Sequence, residues 1–492
     1  MDSVNPHPCA AVRRLTITID GELRLPLAHL PEDVLDHIRA RLTFEHPVWI
    51  AARRTGRRIA VVPKELRVYR IEGDELVVPR GIGLEIAKLL ASRPDVAVTY
   101  RDRTRRLPPV RYTPRAKPRP DQVRALAAAR HRNHLILGPT GSGKTLVGML
   151  WIAQRRQPAL WIVHTRDLAD QAADTARRVL GLERVGRIEG GSWDPAPHVT
   201  VALVQTLWRD PARLARLPVG AVVVDEAHHA PARTFLDVLS RLPARYRLGL
   251  TATPDRSDGL GPLVEAAIGP VAYRMSDEGA GLITPKIIWV LTNTRCRIPP
   301  HRYADLLAAV LKDKERNRLA LSIVRAAVSR GGRVLALTSR VDHATELAAR
   351  LERMGIAAAA LAGHVPRRER ELTLDRFREG SLVALVATQL ADEGLDVPAL
   401  DTLLLLSPTR DVSRTTQRIG RVRRPMPGKE ARVYDFFDHH VPLLRIHARH
   451  RRALYDEQGF PQHVWDPYAS ADERGVGPVP GRPARKELAP EP

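Results

Sequence analysis

The chain has only two cysteines in 492 residues, Cys9 and Cys296. That count excludes a disulfide framework, a Cys-rich structural zinc site and a four-Cys iron–sulfur cluster, and it fits a reducing compartment. Aromatic residues make up 4%, too few for extensive base stacking. No apolar run reaches the roughly 18 residues that span a bilayer. Met1–Ala11 carries polar residues and two prolines where a secretory leader has a basic stretch and then an apolar one. The expectation is a cytoplasmic protein with no membrane partner. Lysine is also scarce, at 9 of the 78 Lys plus Arg.

What is abundant is arginine. Against 55 Asp plus Glu, the 78 basic residues leave a formal net charge of +23. Positive charge of this size favours a polyanion such as nucleic acid, through release of counterions from phosphates. An alanine- and arginine-rich composition also follows from a GC-rich genome, so charge alone leaves both accounts open. Apolar residues make up 44% of the chain, enough for about three domains at the usual 100 to 200 residues each.

The organisation follows from local patterns. Residues 1–106 are expected to form a small α+β domain, with a strand at Leu15-Thr-Ile-Thr-Ile, a turn at Asp20-Gly21, a helix after Pro31 and a hairpin around Glu72-Gly73-Asp74. Residues 107–120 read as a basic, Pro-rich extended linker, either a solvated spacer or a strap that contacts phosphates. From Asp121 onward short apolar strands alternate with amphipathic helices, at 134–137, 159–163, 198–204, 221–224 and 246–250. A second series lies at 333–337, 382–387, 402–406 and 431–434. Two such series predict two parallel α/β sheets, over 121–275 and 301–465, joined by a connection at 276–300. Residues 466–492, rich in Pro and Gly, predict a disordered tail.

The strongest chemical signal is Gly138-Pro139-Thr140-Gly141-Ser142-Gly143-Lys144-Thr145, between a predicted strand and a predicted helix. Glycines let the loop curl so that backbone N–H groups face phosphates, Lys144 brings a point charge to the β/γ-phosphates, and Thr145 offers its hydroxyl to magnesium. Some eighty residues later the apolar run Ala221-Val-Val-Val224 ends in Asp225-Glu226-Ala227-His228. Acids at the end of a parallel strand lie beside such a loop, where Asp225 can hold Mg2+ through water and Glu226 can orient and deprotonate an attacking water. The combination points to ATP hydrolysis.

These segments, with Gly249-Leu-Thr251-Ala-Thr253-Pro, resemble motifs I, II and III of the superfamily 2 DEAD/DEAH-box helicases. The resemblance extends over roughly Pro120 to Phe437. Pro120-Asp-Gln122 is similar to the Q motif, Val163-His-Thr165-Arg166-Asp-Leu-Ala-Asp-Gln171 to motif Ia, and Val204-Gln205-Thr206-Leu207 to the next strand-contacting motif. Leu337-Thr-Ser339-Arg340 resembles motif IV, Ala387 to Pro398 with Gly394 and Asp396 resembles motif V, and Gln417-Arg-Ile-Gly-Arg421-Val-Arg-Arg424 resembles motif VI. The last has Gln417 where many relatives have His, which is closer to the XPB-like and type III restriction motor subunits, although the tripeptide Arg-Glu-Asp of XPB-type proteins is absent.

The resemblance implies two tandem RecA-like domains that close around ATP and Mg2+ and couple its hydrolysis to movement on nucleic acid, with DNA favoured over RNA. It implies adenine reading by Gln122, with Asp121 where an aromatic is common and Arg119 as a stacking alternative. It makes Arg421 and Arg424 arginine fingers, and it gives Gly394 and Asp396 to the nucleotide cleft. His228, Thr251, Thr253 and Gln417 become coupling residues, and Thr165, Arg166, Gln205, Thr206, Ser339 and Arg340 become contacts to the strand. The N-terminal domain is similar in placement to DNA-recognition modules. Trp208 and Phe235 are the candidates for a base wedge. An RNA-dependent ATPase, or a sensing motor subunit within a repair, restriction or defence complex, remains an alternative.

Overall fold

The computed structural model describes residues 12–46, 48–49, 63–131, 133–226, 232–252, 261–363, 365–388, 397–409, 412–469 and 477–478. The chain divides into two compact units, Met1–Ala280 and Gly281–Pro492.

The first unit begins with short strands and helices. Strands β1 (Arg13–Ile19), β2 (Glu22–Pro26), β5 (Arg70–Glu72), β6 (Glu75–Pro79) and β7 (Val96–Asp102) make a five-stranded sheet in the order β5-β6-β2-β1-β7. β3 (Thr43–Glu45) and β4 (Glu65–Arg67) pair separately. Alternation places Leu15, Ile17, Leu23, Leu25, Leu76 and Val78 on one face, and the helices Glu32–Arg41 and Gly83–Ala91 cover that face with Val34, Ile38, Ile86 and Leu90. The turn signals at Asp20-Gly21 and Gly73 fall between paired strands.

This domain is anchored to the one that follows. Arg80, 2% exposed, donates to the carbonyls of Asp20, Ala244 and Arg245 and to Asn133 Oδ1, at 2.6 to 3.0 Å. In the other direction Arg247, also 2% exposed, donates to Gly21 O at 2.8 Å and to Leu239 O and Leu242 O at 2.7 and 2.9 Å. Gly21 is required at the contact, because a Cβ there would lie 1.7 Å from Ser240 O.

The basic segment 107–120 is not a free spacer. Leu107 exchanges two hydrogen bonds with the Gln157 side chain, Val110 N donates to Arg156 O, Tyr112 Oη lies 2.8 Å from both Gln157 O and His198 O with one hydrogen to donate between them, and Arg115 N donates to Val179 O. Prolines keep the segment extended, and these partners fix it across the domain while Arg111, Arg115 and Lys117 stay exposed.

The remainder of the first unit is an eight-stranded sheet. Its strands are β8 (Asn133–Leu137), β9 (Ala159–Val163), β10 (Gly186–Glu189), β11 (Ser192–Asp194), β12 (Val199–Leu203), β13 (Ala221–Asp225), β14 (Tyr246–Thr251) and β15 (Val271–Arg274), in the order β11-β10-β12-β9-β13-β14-β8-β15. All neighbours are parallel except β10 and β11. Unbroken apolar strands such as Ala-Leu-Trp-Ile-Val are buried on both faces, as a parallel sheet between helices demands.

The second unit repeats the design. Strands β16 (Lys286–Leu291), β17 (Arg333–Thr338), β18 (Ala358–Leu361), β19 (Ala384–Thr388), β20 (Leu400–Leu405), β21 (Arg432–Phe437), β22 (Gln462–Trp465) and β23 (Gly477–Pro478) form a sheet in the order β18-β19-β17-β20-β21-β16-β22-β23. β16 corrects the reading of residues 276–300 as a connection, because Lys286–Leu291 pairs in parallel with β21 and β22. No α-helix follows it until Tyr303, so it lacked the strand–helix alternation by which the others were recognised. The tail expectation falls mostly outside the described residues, although Gly477 and Pro478 pair with β22. A buried pair, Arg451 donating from Nε and Nη2 to Asp435 at 2.7 and 2.9 Å, fixes the helix Pro442–Glu457 against β21, and Tyr455 Oη adds a third bond to the same carboxylate.

Candidate nucleotide and nucleic-acid sites

Register brings the first set of residues together. On adjacent strands Leu137 lies opposite Thr251 and Leu250 opposite Asp225, so the carboxyl ends of β8, β14 and β13 form one line. Gly138 N donates to Thr251 O at 3.0 Å and starts the loop there. The loop turns through Gly141 and Gly143, at φ +90° and +84°, and delivers Lys144 to the first position of the helix Lys144–Arg155. A helix N-terminus behind such a loop is an anion site.

The loop residues fit a polyphosphate. Lys144 is buried and its Nζ donates to Gly138 O at 2.7 Å and Pro139 O at 3.2 Å, so the ammonium is held within the loop. The buried hydroxyls Thr140 Oγ1 and Ser142 Oγ have no protein partner, and hydroxyls so placed match acceptor oxygens of a phosphate chain.

Asp225 closes β13. Burial first, and then the neighbouring Glu226 carboxylate, push its carboxyl up to about 7, opposed by Lys144 and by hydrogen bonds from Glu226 N and the Thr145 hydroxyl. A carboxylate with these neighbours gains most from a cation, which fits a divalent metal held by Asp225 and Thr145. Glu226 has φ +50°, a left-handed conformation that costs a non-glycine residue roughly 1–2 kcal/mol. Strain of this kind collects at functional positions.

Gln122 lies 2% exposed on the helix Pro120–Ala128, and its amide ties this segment to the loop. Its Oε1 accepts from Arg119 N at 2.9 Å and its Nε2 donates to Ser142 O at 3.2 Å. One amide hydrogen and one lone pair remain for a base. Arg119 donates from Nη2 to Ser142 O at 2.6 Å, so its guanidinium braces the loop. Asp121 has a role that the sequence did not reveal: it is buried and accepts from Tyr273 Oη at 2.7 Å, joining the helix to β15.

The strand-contact candidates of the first unit lie on neighbouring strand ends, since Val163 of β9 faces Leu203 of β12. Gln205 is exposed and its amide donates to His164 O at 3.2 Å, which joins the two segments. Thr165 caps the helix Arg166–Leu180 by accepting from Leu168 N, Arg166 is exposed, and Thr206 is half-buried. Phe235 is 2% exposed and belongs to the core, which removes it as a wedge, whereas Trp208 is 51% exposed.

In the second unit Ser339 and Arg340 follow β17, half-buried and exposed respectively. Gln417 and Arg421, both half-buried, share one face of the helix Val412–Val422. Arg424 lies just beyond it, and burial lowers its pKa to about 10. The run Arg421-Val-Arg-Arg424 is divided by the fold. Arg423 is buried, stacks 5.0 Å over the Phe460 ring and donates to Ile283 O, a structural role hidden by its neighbours. His228, Thr253, Gly394 and Asp396 lie outside the described residues.

Residues 115–256 match the family described as "Type III restriction enzyme, res subunit", and residues 315–426 match "Helicase conserved C-terminal domain". The chain is 30% identical over 355 residues to a protein named DNA 3'-5' helicase XPB from Kineococcus radiotolerans, a match that covers 68% of this chain and 61% of the relative. The chain belongs to the superfamily 2 helicases. Within that superfamily it is similar to XPB-like and type III restriction proteins. It is also 26% identical to the DNA 3'-5' translocase XPB2 of Sulfurisphaera tokodaii, over 65% of this chain and 81% of the relative. Among solved structures, S. cerevisiae Dbp5 bound to RNA and ADP BeF3 superposes with a TM-score of 0.55 at 17% identity, over 71% of this chain and 90% of that one. A fragment of a putative HsdR subunit of a type I restriction enzyme from Vibrio vulnificus superposes at 0.54 and 19% identity, over 72% and 70%. These likenesses establish the superfamily fold of two tandem RecA-like domains. Among the described residues no helix is long and apolar enough to cross a membrane.

Proposed function

We propose that the chain is an ATP-dependent DNA helicase or translocase. The observation that carries this reading is the convergence of Lys144, Thr145, Asp225 and Glu226 at the carboxyl ends of β8 and β13 in the eight-stranded sheet, where a strained Glu226 adjoins a carboxyl already raised to about 7. Lys144 and the loop amides bind the phosphates, Thr145 and Asp225 hold Mg2+, and Glu226 orients a water and takes its proton. Bound ATP supplies the phosphoryl transfer that drives the cycle. Gln122 reads the base, and Gly394 and Asp396 belong to the nucleotide cleft. Arg421 and Arg424 neutralise charge that develops during transfer.

His228, Thr251, Thr253 and Gln417 couple hydrolysis to strand movement. Thr165, Arg166, Gln205, Thr206, Ser339 and Arg340 hold the sugar–phosphate backbone and confer no base sequence. The relatives named as DNA helicase and translocase favour DNA as the track. A strand-displacement assay on forked DNA tests the proposal, with ATP-dependent release of the shorter strand expected for a helicase. Duplex-stimulated hydrolysis without release assigns a translocase or sensing motor, and stimulation by RNA alone overturns the choice of DNA.

A further inference from the structure

Behind Ser339 the second domain contains a chain of hydrogen bonds whose direction can be worked out atom by atom. Asn317, on the helix Lys314–Ser329, donates from Nδ2 to Leu311 O at 2.9 Å, which fixes the amide so that Oδ1 faces His343 Nε2 at 2.9 Å. An amide oxygen only accepts, so Nε2 carries the imidazole hydrogen. Nδ1 is therefore the acceptor, and the Thr338 hydroxyl, 2.8 Å away, donates to it. His343 is buried and stays neutral, because burial and then the Arg316 and Arg350 charges hold its pKa down to about 3.

Ser407, buried at the end of β20, completes the chain. Its Oγ accepts from Ser339 N at 2.7 Å and donates its own hydrogen to Ser339 Oγ at 3.1 Å, in preference to Thr338 Oγ1 at 3.4 Å. With its hydrogen committed to His343, Thr338 can only accept from Ser407, and it lies farther from Ser407 than Ser339 does. Ser339 Oγ thus receives a hydrogen bond from the interior, which leaves its own hydrogen to donate elsewhere, and the next residue, Arg340, is exposed. A phosphate oxygen only accepts, so a hydroxyl whose acceptor role is already filled from within offers it the hydrogen.

We propose that Asn317, His343, Thr338 and Ser407 form a positioning relay that makes Ser339 Oγ a fixed hydrogen-bond donor to a backbone phosphate of the bound strand. The relay rests on the reading of Ser339 and Arg340 as strand contacts. Ser407 is the residue to test, because Ser407→Ala removes one oxygen and almost no packing volume.

Binding of the full chain to a fluorescent single-stranded oligonucleotide is measured by anisotropy at several salt concentrations, for Ser339→Ala, Ser407→Ala, Ser407→Thr and the double alanine variant. Loss of one charge-assisted hydrogen bond weakens binding about tenfold. Ser407→Ala is expected to match Ser339→Ala, the double variant to be no weaker than either, and Ser407→Thr to restore affinity. The salt slope should stay at the wild-type value, since no charge is removed. In ATPase assays the loss should fall on the DNA concentration for half-maximal rate more than on the maximal rate. Wild-type affinity in Ser407→Ala beside weakened Ser339→Ala, or additive losses in the double variant, overturns the relay alone. Wild-type affinity in Ser339→Ala overturns the strand contact and the relay with it.

Discussion

The guanidinium of Arg80 donates from Nη1 to the carbonyl of Ala244 at 2.6 Å, which links the N-terminal domain to the turn before β14. The same side chain serves Asp20 O, Arg245 O and Asn133 Oδ1. Arg80→Ala leaves these acceptors unpaired in a buried contact, and a loss of about 3 kcal/mol is expected. Denaturant titration should show the loss, and limited proteolysis should release the N-terminal domain sooner than in wild type. Unchanged proteolysis would contradict the anchoring role.

Lys144 and Glu226 are expected to fail differently. Lys144→Ala should lose both nucleotide affinity and turnover. Glu226→Gln keeps a similar shape and removes only the base, so ATP should still bind while turnover falls by roughly 10²- to 10⁴-fold. Equilibrium binding of a fluorescent ATP analogue, beside steady-state hydrolysis, separates the two. Wild-type turnover in Glu226→Gln would remove its assignment as base.

The raised carboxyl of Asp225 predicts a pH dependence. Its folded pKa, about 7, lies above the ordinary 3.8. The stability that its protonated form provides is fully present below the ordinary value and is lost as pH rises through 7. Asp225→Asn should therefore raise the melting temperature of the nucleotide-free protein more at pH 8 than at pH 5. A metal–nucleotide complex needs the ionised form, so its binding near pH 7 should release a proton. Calorimetry in two buffers of different ionisation enthalpy measures that release, and identical heats in both buffers would refute it.

Gly143 faces Gln122 at a distance that leaves no room for a side chain. A Cβ would lie 2.4 Å from Gln122 Nε2, and φ is +84°. Gly143→Ala should weaken binding of the ATP analogue by displacing the loop from its Gln122 brace, with little effect on the Arg80 contact as judged by proteolysis. Wild-type affinity would show that the brace is dispensable.

Periodicity and local motifs made the two parallel sheets and the phosphate loop legible. The strands recognised from sequence are largely apolar and buried and are flanked by helices, as at Ala159–Val163 and Ala384–Thr388. Those missed are edge or short strands, such as β10, β11 and β18, or, like β16, lie after a stretch with no helical pattern. The arginine run of residues 421–424 looked uniform because sequence does not show which guanidinium meets Phe460. Likewise the partnership of Asp121 with Tyr273 spans 152 positions, beyond any local pattern. The relay behind Ser339 was invisible for the same reason, since Ser407 lies 68 positions away and Asn317 is on a separate helix.

The central claim is that ATP hydrolysis at Lys144, Asp225 and Glu226 is coupled to DNA. The most direct measurement is the steady-state ATPase rate of the full chain without nucleic acid and with saturating single-stranded DNA, duplex DNA or RNA. The account predicts a rate raised several-fold by DNA, with a half-saturating concentration that climbs with salt, and abolished by Glu226→Gln. A rate indifferent to DNA, or raised by RNA alone, would contradict it.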